Sequence, residues 1–205
     1  MNRAHHGADK ARPTALERRP QAATATASGP ERRIHVVQGE FFVTDDPRAV
    51  LTTILGSCVA ACIVDTETGV GGMNHFLLPG DENSDGLRYG VQSMELLVNG
   101  LLQRGAQRHR LEAKLFGGAA VVEGFSDIGA QNCVFAERFL RDEGIAYRGG
   151  SLGGKIARRI QFWPASGRAR QLFLAPTEAV IDTEKAIKTI KAPVAPKDDG
   201  EMELF

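Results

Sequence analysis

The stretch between residues 50 and 79 constrains this chain more than any other. Two largely apolar runs, 58–64 and 69–78, flank the polar segment Asp65-Thr-Glu-Thr68. Short apolar runs separated by a few turn-forming residues read as the two strands of an antiparallel hairpin. If Val64 faces Gly69, the numbers of every facing pair sum to 133, and Cys58 then lies directly opposite His75. Opposed residues on one face have Cβ atoms about 4.5–5.5 Å apart, close enough for a thiol to hydrogen-bond an imidazole. A slip of one residue would send the two side chains to opposite faces.

The remaining segments supply a setting for that hairpin. Residues 34–38, 41–44, 50–55, 111–116, 145–148, 158–163 and 168–174 are strand-like, the last two joined by Pro164-Ala-Ser-Gly167 as a second hairpin. Met94, Leu97, Val98, Leu101 and Leu102 mark one face of a helix over 89–104 that stops at Gly105. Val134, Phe135, Ala136, Phe139 and Leu140 mark a second over 130–143 that stops at Gly144. Strands outnumber helices and neighbours are hairpin-linked. The expected fold is therefore α+β, a layered sandwich of mixed or antiparallel β-sheets with helices packed on one face. The glycine pairs Gly71-Gly72, Gly117-Gly118, Gly149-Gly150 and Gly153-Gly154 suggest bulges or close backbone approach, as found around sites.

At 205 residues the chain is sized for a single domain, and 42% hydrophobic residues suffice for its core. The domain is expected over residues 34–176, after a disordered tail at 1–33 and before a helical and acidic segment at 177–205 that includes Asp198, Asp199, Glu201 and Glu203. Equal numbers of basic and acidic residues, 25 each, give no bulk attraction to nucleic acid or an anionic bilayer. No apolar run approaches the roughly 18–20 residues of a membrane span, and the reading is cytoplasmic. Cys58, Cys62 and Cys133 are too few for a disulfide framework and lack zinc-ligand spacing. No histidine pair has metal-ligand spacing either, so neither metal nor cofactor is expected.

Chemistry is therefore expected from side chains alone. A free thiol, with a pKa of about 8.5, is only slightly ionised near neutrality, and an adjacent imidazole can take its proton and return it to a leaving amine. Thr52 or Thr53, one strand earlier, is placed to fix the ring's tautomer. Backbone N–H groups of Ser57 and Cys58, in the Gly56-Ser57-Cys58 bend, are placed to hold an oxyanion. The plainer reading of a lone cysteine is a small apolar filler, and it is the one adopted for Cys62 and Cys133. Leu152-Gly-Gly-Lys155 lacks the full spacing of a phosphate loop. Arg104, Arg108, Arg110, Arg158, Arg159, Arg168 and Arg170 are read as scattered surface or as a basic face for an acidic protein partner.

Taken together, Leu55-Gly-Ser-Cys-Val59, Asp65 and Gly71-Gly-Met-Asn-His-Phe-Leu-Leu-Pro79 resemble the signature of the chemoreceptor glutamine deamidases, the CheD family. Tyr89-Gly90, Lys114-Leu-Phe-Gly-Gly-Ala119, Ile128-Gly-Ala-Gln-Asn132, Gly153-Gly154, Arg158-Arg159 and Phe162 extend the likeness over residues 34–174. Val121, Ser151 and Ala157 depart from the family pattern, away from the cysteine and histidine motifs. The resemblance implies a layered α/β sandwich and a protein-glutamine deamidase acting on methyl-accepting chemotaxis receptors. It implies Cys58 as nucleophile, His75 as general base and acid, and Thr52, six residues before the cysteine, as third member. It also implies binding to receptor cytoplasmic helices and, in some members, to a CheC-type phosphatase; the chain itself is expected to be a monomer. The competing readings are a cysteine peptidase or transglutaminase-like acyltransferase, and a non-catalytic adaptor.

Overall fold

Strand β4 (Val59–Asp65) is buried along its whole length, on both faces, and the architecture follows from that. A strand buried on both sides needs an apolar layer above and another below. A computed structural model describes residues 29–78, 84–121 and 126–175. In it, β4 lies at the centre of a five-stranded sheet. Its companions are β2 (Phe41–Thr44), β5 (Val70–Asn74), β6 (Leu111–Gly117) and β7 (Ala146–Leu152), in the order β2-β5-β4-β6-β7. A second sheet orders β1 (Arg32–His35), β3 (Ala49–Leu55), β8 (Arg158–Trp163) and β9 (Arg168–Phe173) as β1-β3-β8-β9. Both sheets are mixed, since β1 and β3 run parallel, as do β6 and β7, while the other neighbours are antiparallel.

Alternate residues of β4 serve the two layers. Val59, Ala61 and Ile63 face the helices α1 (Ser84–Gln103) and α2 (Ser126–Asp142), packing with Met94, Leu97, Leu101, Phe135 and Leu140. Cys58, Ala60, Cys62 and Val64 face the second sheet, against Leu51, Leu55, Ile160 and Phe162. Each fully buried Val, Leu, Ile, Met or Phe among them contributes about 1.5–3 kcal/mol by leaving water, so two full cores meet on one strand. The layer order is helices, five-stranded sheet, four-stranded sheet, which is the α+β sandwich with helices on one face. Both helices stop where expected. Ala106 N–H bonds Leu101 O at 3.1 Å and Ile145 N–H bonds Leu140 O at 2.8 Å, Schellman closures around Gly105 and Gly144. Each helix starts several residues before its apolar stripe, because the first turns are polar and give no periodic signal. No helix among the described residues is long and apolar enough to cross a membrane.

The hairpin register differs from the expected one. Cys62 pairs with Met73 and Asp65 with Val70, so facing numbers sum to 135 and the loop is residues 66–69. Asp65 sets this: its Oδ1 accepts the N–H groups of Glu67 and Thr68 at 3.0 and 3.3 Å, while its carbonyl accepts Gly69 N–H at 2.9 Å. Gly69 takes φ +71, a left-handed conformation that belongs to a turn and not to a strand's first pair. Each strand therefore shifts by one residue, and the two shifts together preserve which face each side chain occupies. β1 begins at Arg32, inside the stretch read as tail. The rest of that tail up to residue 28, and the helical and acidic reading of 177–205, lie outside the described residues.

Candidate active site

The bend that carries Cys58 is gripped from behind. Gly56 O accepts Ala119 N–H at 2.7 Å, Cys58 O accepts Gly118 N–H at 2.7 Å, and Ser57 O accepts Asn132 Nδ2 at 3.1 Å. The approach of the 117–119 backbone requires Gly117-Gly118. Both have positive φ, a Cβ on Gly117 would collide with Cys58 O, and one on Gly118 would collide with Cys133 Sγ. The close backbone approach expected of this glycine pair is present, against the bend that carries Cys58.

His75 leaves the hairpin ladder in a distinctive way. Val59 and Phe76 still exchange backbone bonds of 2.9 Å, but at the next reciprocal position Ala61 N–H goes to the side chain of Asn74, at 2.9 Å from Oδ1. Asn74 Nδ2 in turn donates to Ser93 O at 3.2 Å, tying the end of β5 to α1. His75's own backbone bonds the other way, its N–H to Glu40 O at 3.0 Å and its carbonyl to Gly39 N–H at 2.8 Å. With facing numbers summing to 135, His75 opposes Ala60 and Cys58 opposes Leu77. Cys58 and His75 are thus diagonal neighbours on the face between the sheets, where ladder geometry separates Cβ atoms by about 7–8 Å, and not the directly opposed pair expected.

The second sheet holds the imidazole. Thr53 Oγ1 lies 2.9 Å from His75 Nδ1, and Val36 O, just past β1, lies 3.4 Å from the same nitrogen. A carbonyl only accepts, which assigns the proton to Nδ1 and leaves the lone pair on Nε2. Nε2 is buried and has no hydrogen-bond partner. Burial, opposed by the Val36 carbonyl, brings the His75 pKa down from 6.5 to about 4, so the ring is neutral at neutral pH. Thr52, the third member implied by resemblance, is not on the ring: its hydroxyl donates to Ile160 O at 2.8 Å. Strand alternation is the reason. Thr53 shares the inward face with Leu51 and Leu55, and Thr52 points to the other side.

The Cys58 thiol is 1% exposed and donates to Gln38 Oε1 at 3.5 Å. Tyr89 closes the same corner. Burial, and after it the negative charge a Cys58 thiolate would carry, raises the Tyr89 pKa above its ordinary value and keeps the phenol neutral. Gln38 and Val36 gave no local sequence signal. Asn74 and Asn132 did give one, being polar residues within otherwise buried patterns. Cys62 is 1% exposed, and burial pushes its thiol beyond the ordinary range, as fits a core residue. Among the described residues no three His, Cys, Asp or Glu side chains converge as metal ligands.

Of the two readings of the arginines, scattered surface or one basic face, the structure shows them mostly dispersed. Arg110 pairs with Asp65 at 2.7 Å, Arg108 with Glu143, and Arg104 with Asp45 at 3.7 Å. Arg158 is buried and donates to Ser151 O at 2.7 Å. Only Arg159, Arg168 and Arg170 of that set share the outer surface of β8 and β9, Arg168 stacking 4.1 Å over the Trp163 ring.

Comparison with known proteins bears on this arrangement. Residues 77–171 match the family model described as CheD chemotactic sensory transduction. A protein named probable chemoreceptor glutamine deamidase CheD from Caulobacter sp. (strain K31) is 54% identical over 187 residues, covering 89% of this chain and 98% of its own. Proteins of the same name from Sinorhizobium medicae (strain WSM419) and Rhizobium meliloti (strain 1021) are 55% and 56% identical, each over 85% of this chain and 96% of their own.

Proposed function

This chain belongs to the CheD family of chemotactic sensory transduction proteins, and from that premise we propose that it deamidates glutamine side chains of chemoreceptors through Cys58 and His75. The observation that carries the reading is the state of His75. It is neutral, held at Nδ1 by Thr53 and Val36, and presents an unpartnered Nε2 on the sheet face it shares with Cys58. A packing histidine would have both nitrogens satisfied or reach solvent.

His75 Nε2 takes the Cys58 proton once the thiol turns from Gln38 to the ring. The buried imidazolium is tolerated because the thiolate it creates stands beside it. The thiolate attacks the glutamine Cδ, forming a C–S bond and an oxyanion received by backbone N–H groups of the 56–58 bend. The oxyanion collapses, the C–N bond breaks, and the Nε2 proton leaves with ammonia. Water then gives a proton to Nε2 and its oxygen to the thioester carbon. The C–S bond breaks, the Nε2 proton passes to sulfur to restore the thiol and the neutral ring, and the new carboxyl loses its proton to the released ammonia, leaving glutamate and ammonium. Thr53 and the Val36 carbonyl keep the ring's other proton on Nδ1 throughout, so that Nε2 is the nitrogen that gains and loses the shuttled proton. Each converted site gains one negative charge, which alters repulsion between neighbouring receptor helices.

The test is incubation of the purified full-length protein with receptor cytoplasmic segments, following ammonia and the roughly 1 Da mass gain of Gln to Glu. Wild type should convert specific glutamines with the substrate chain intact, and Cys58→Ala should not. Cleaved fragments would instead indicate a peptidase. Receptor binding without conversion, unchanged in Cys58→Ala, would indicate an adaptor.

A further inference from the structure

Segment 36–40, between β1 and β2, brings a carboxamide to the sulfur that is to attack carboxamides. Its backbone is fastened on both sides. Val36 N–H bonds Thr52 O at 3.0 Å, Gly39 N–H bonds His75 O at 2.8 Å, and Glu40 O accepts His75 N–H at 3.0 Å. Gly39 turns the chain at φ +86, and a Cβ there would stand 3.1 Å from the Tyr89 hydroxyl. The peptide carrying Gln38 is therefore fixed between His75 and Tyr89.

The Gln38 side chain is fastened far less. It is half-buried, and among the described residues its carboxamide makes one hydrogen bond, accepting the Cys58 thiol on Oε1 at 3.5 Å. A thiol is a weak donor, and three side-chain torsions let the carboxamide swing away while the backbone stays in place. Cys58 itself is 1% exposed. A substrate carbon reaching bonding distance of the sulfur must therefore displace a group already there. The neighbours Thr53, His75 and the core between the sheets are buried, so the half-exposed, singly bonded Gln38 is the group that yields at least cost. It is also the same functional group as the substrate's. While the thiol proton is directed to Gln38 it is withheld from His75 Nε2, which has no partner.

We propose that Gln38 occupies the substrate-carboxamide subsite of the resting protein, an internal stand-in that the incoming glutamine displaces, and that its departure releases the Cys58 proton to His75. Hydrogen-bond partners are exchanged and no covalent bond of Gln38 changes. This rests on the deamidase reading of Cys58 and His75, and the experiment separates the two.

Full-length wild type, Gln38→Ala and Gln38→Glu are compared in two assays well below their melting temperatures. One is steady-state ammonia release from receptor segments. The other is alkylation by iodoacetamide near neutral pH, assigned to Cys58 and not Cys62 or Cys133 by fragment mass; it forms a C–S bond and expels iodide. A stand-in reduces the fraction of sites ready for substrate, so its removal lowers KM by that fraction. Gln38→Ala should alkylate about three- to tenfold faster, the worth of one net hydrogen bond, and show a KM lower by a similar factor at a kcat no lower than wild type. Gln38→Glu places a carboxylate against the sulfur, which disfavours the thiolate, and should alkylate more slowly than wild type. It also keeps the test alive should Gln38→Ala fail to fold. Alkylation within twofold of wild type in the variants overturns the proposal, as does an unchanged KM or a fall in kcat in Gln38→Ala, the last because it would place Gln38 in the reaction and not in the substrate's way. A wild type that releases no ammonia overturns the deamidase reading and the subsite with it, whereas ammonia release with an unmoved KM overturns the subsite alone.

Discussion

Acid should destabilise this protein through His75, and the size of the effect follows from how the ring is buried. In the unfolded chain the imidazole titrates at 6.5, and in the folded chain at about 4. Between those values the unfolded state binds a proton that the native state refuses. Stability is therefore full above 6.5, falls as pH drops through the window, and loses nothing further from this group below about 4. At about 1.4 kcal/mol per pH unit the whole gap amounts to roughly 3 kcal/mol, and the portion between about pH 7 and pH 4.5 to roughly 2.4 kcal/mol. His75→Gln keeps a polar side chain of similar size and removes the titration. Urea unfolding of both proteins at the two pH values isolates the term, because Asp46 and Asp65 titrate alike in each and cancel in the difference. With an m-value of about 2 kcal/mol per molar urea, the wild-type midpoint should drop by about 1 M more than the variant's. Which protein is the more stable at neutral pH is immaterial. Parallel midpoints would mean that the ring is hydrated or already charged in the native state, and the neutral-base argument would fall with them.

Other substitutions test separate parts of the arrangement. Thr53→Val should lower kcat about 10- to 100-fold by releasing the ring, whereas Thr52→Val should cost about 1 kcal/mol of stability and leave kcat per folded molecule unchanged; steady-state ammonia release and thermal melts distinguish them. Gly117→Ala forces a Cβ onto Cys58 O in a left-handed backbone, and should cost about 3 kcal/mol or more in urea unfolding. Arg110→Met leaves the buried Asp65 carboxylate without its guanidinium. Burial raises the Asp65 pKa, but the Gln107 N–H and Arg110, with the turn amides, hold it below the ordinary value. The variant should lose about 3 kcal/mol near neutral pH, and the deficit should shrink as acid protonates Asp65; urea midpoints measured down the pH scale would show whether the gap closes.

Much of the fold was legible because local chemistry and tertiary context agree. Pro164 to Gly167 marks the β8–β9 hairpin, Gly105 and Gly144 end the helices, and the unbroken apolar run of β4 reflects burial on two sides. The hairpin register was misjudged because counting apolar residues ignores the turn chemistry of Asp65 and Gly69, yet period-two alternation kept Cys58 and His75 on one face. The choice between Thr52 and Thr53 turns on which face of β3 looks inward, and that depends on β8, whose Ile160 and Phe162 lie over a hundred residues away. Val36, Gln38 and Asn132 reach the site from other elements, and spacing along the chain says nothing of such meetings. The arginines look alike in sequence, but burial divides them: Arg158 is enclosed by loop carbonyls and Arg159, the next residue, faces water.

Strand β3 lies between β1, which precedes it closely, and β8, which is made far later. During vectorial synthesis Thr53 therefore waits, on a half-finished edge, until the ribosome has released the segment containing Ile160. A nascent chain arrested before that point would already carry Thr53 and Val36, the groups that hold the imidazole, but on a β3 that still lacks its β8 neighbour. The order of strands along the chain therefore sets the last step of assembly, because the sheet that carries Thr53 closes only when β8 and β9 have been made.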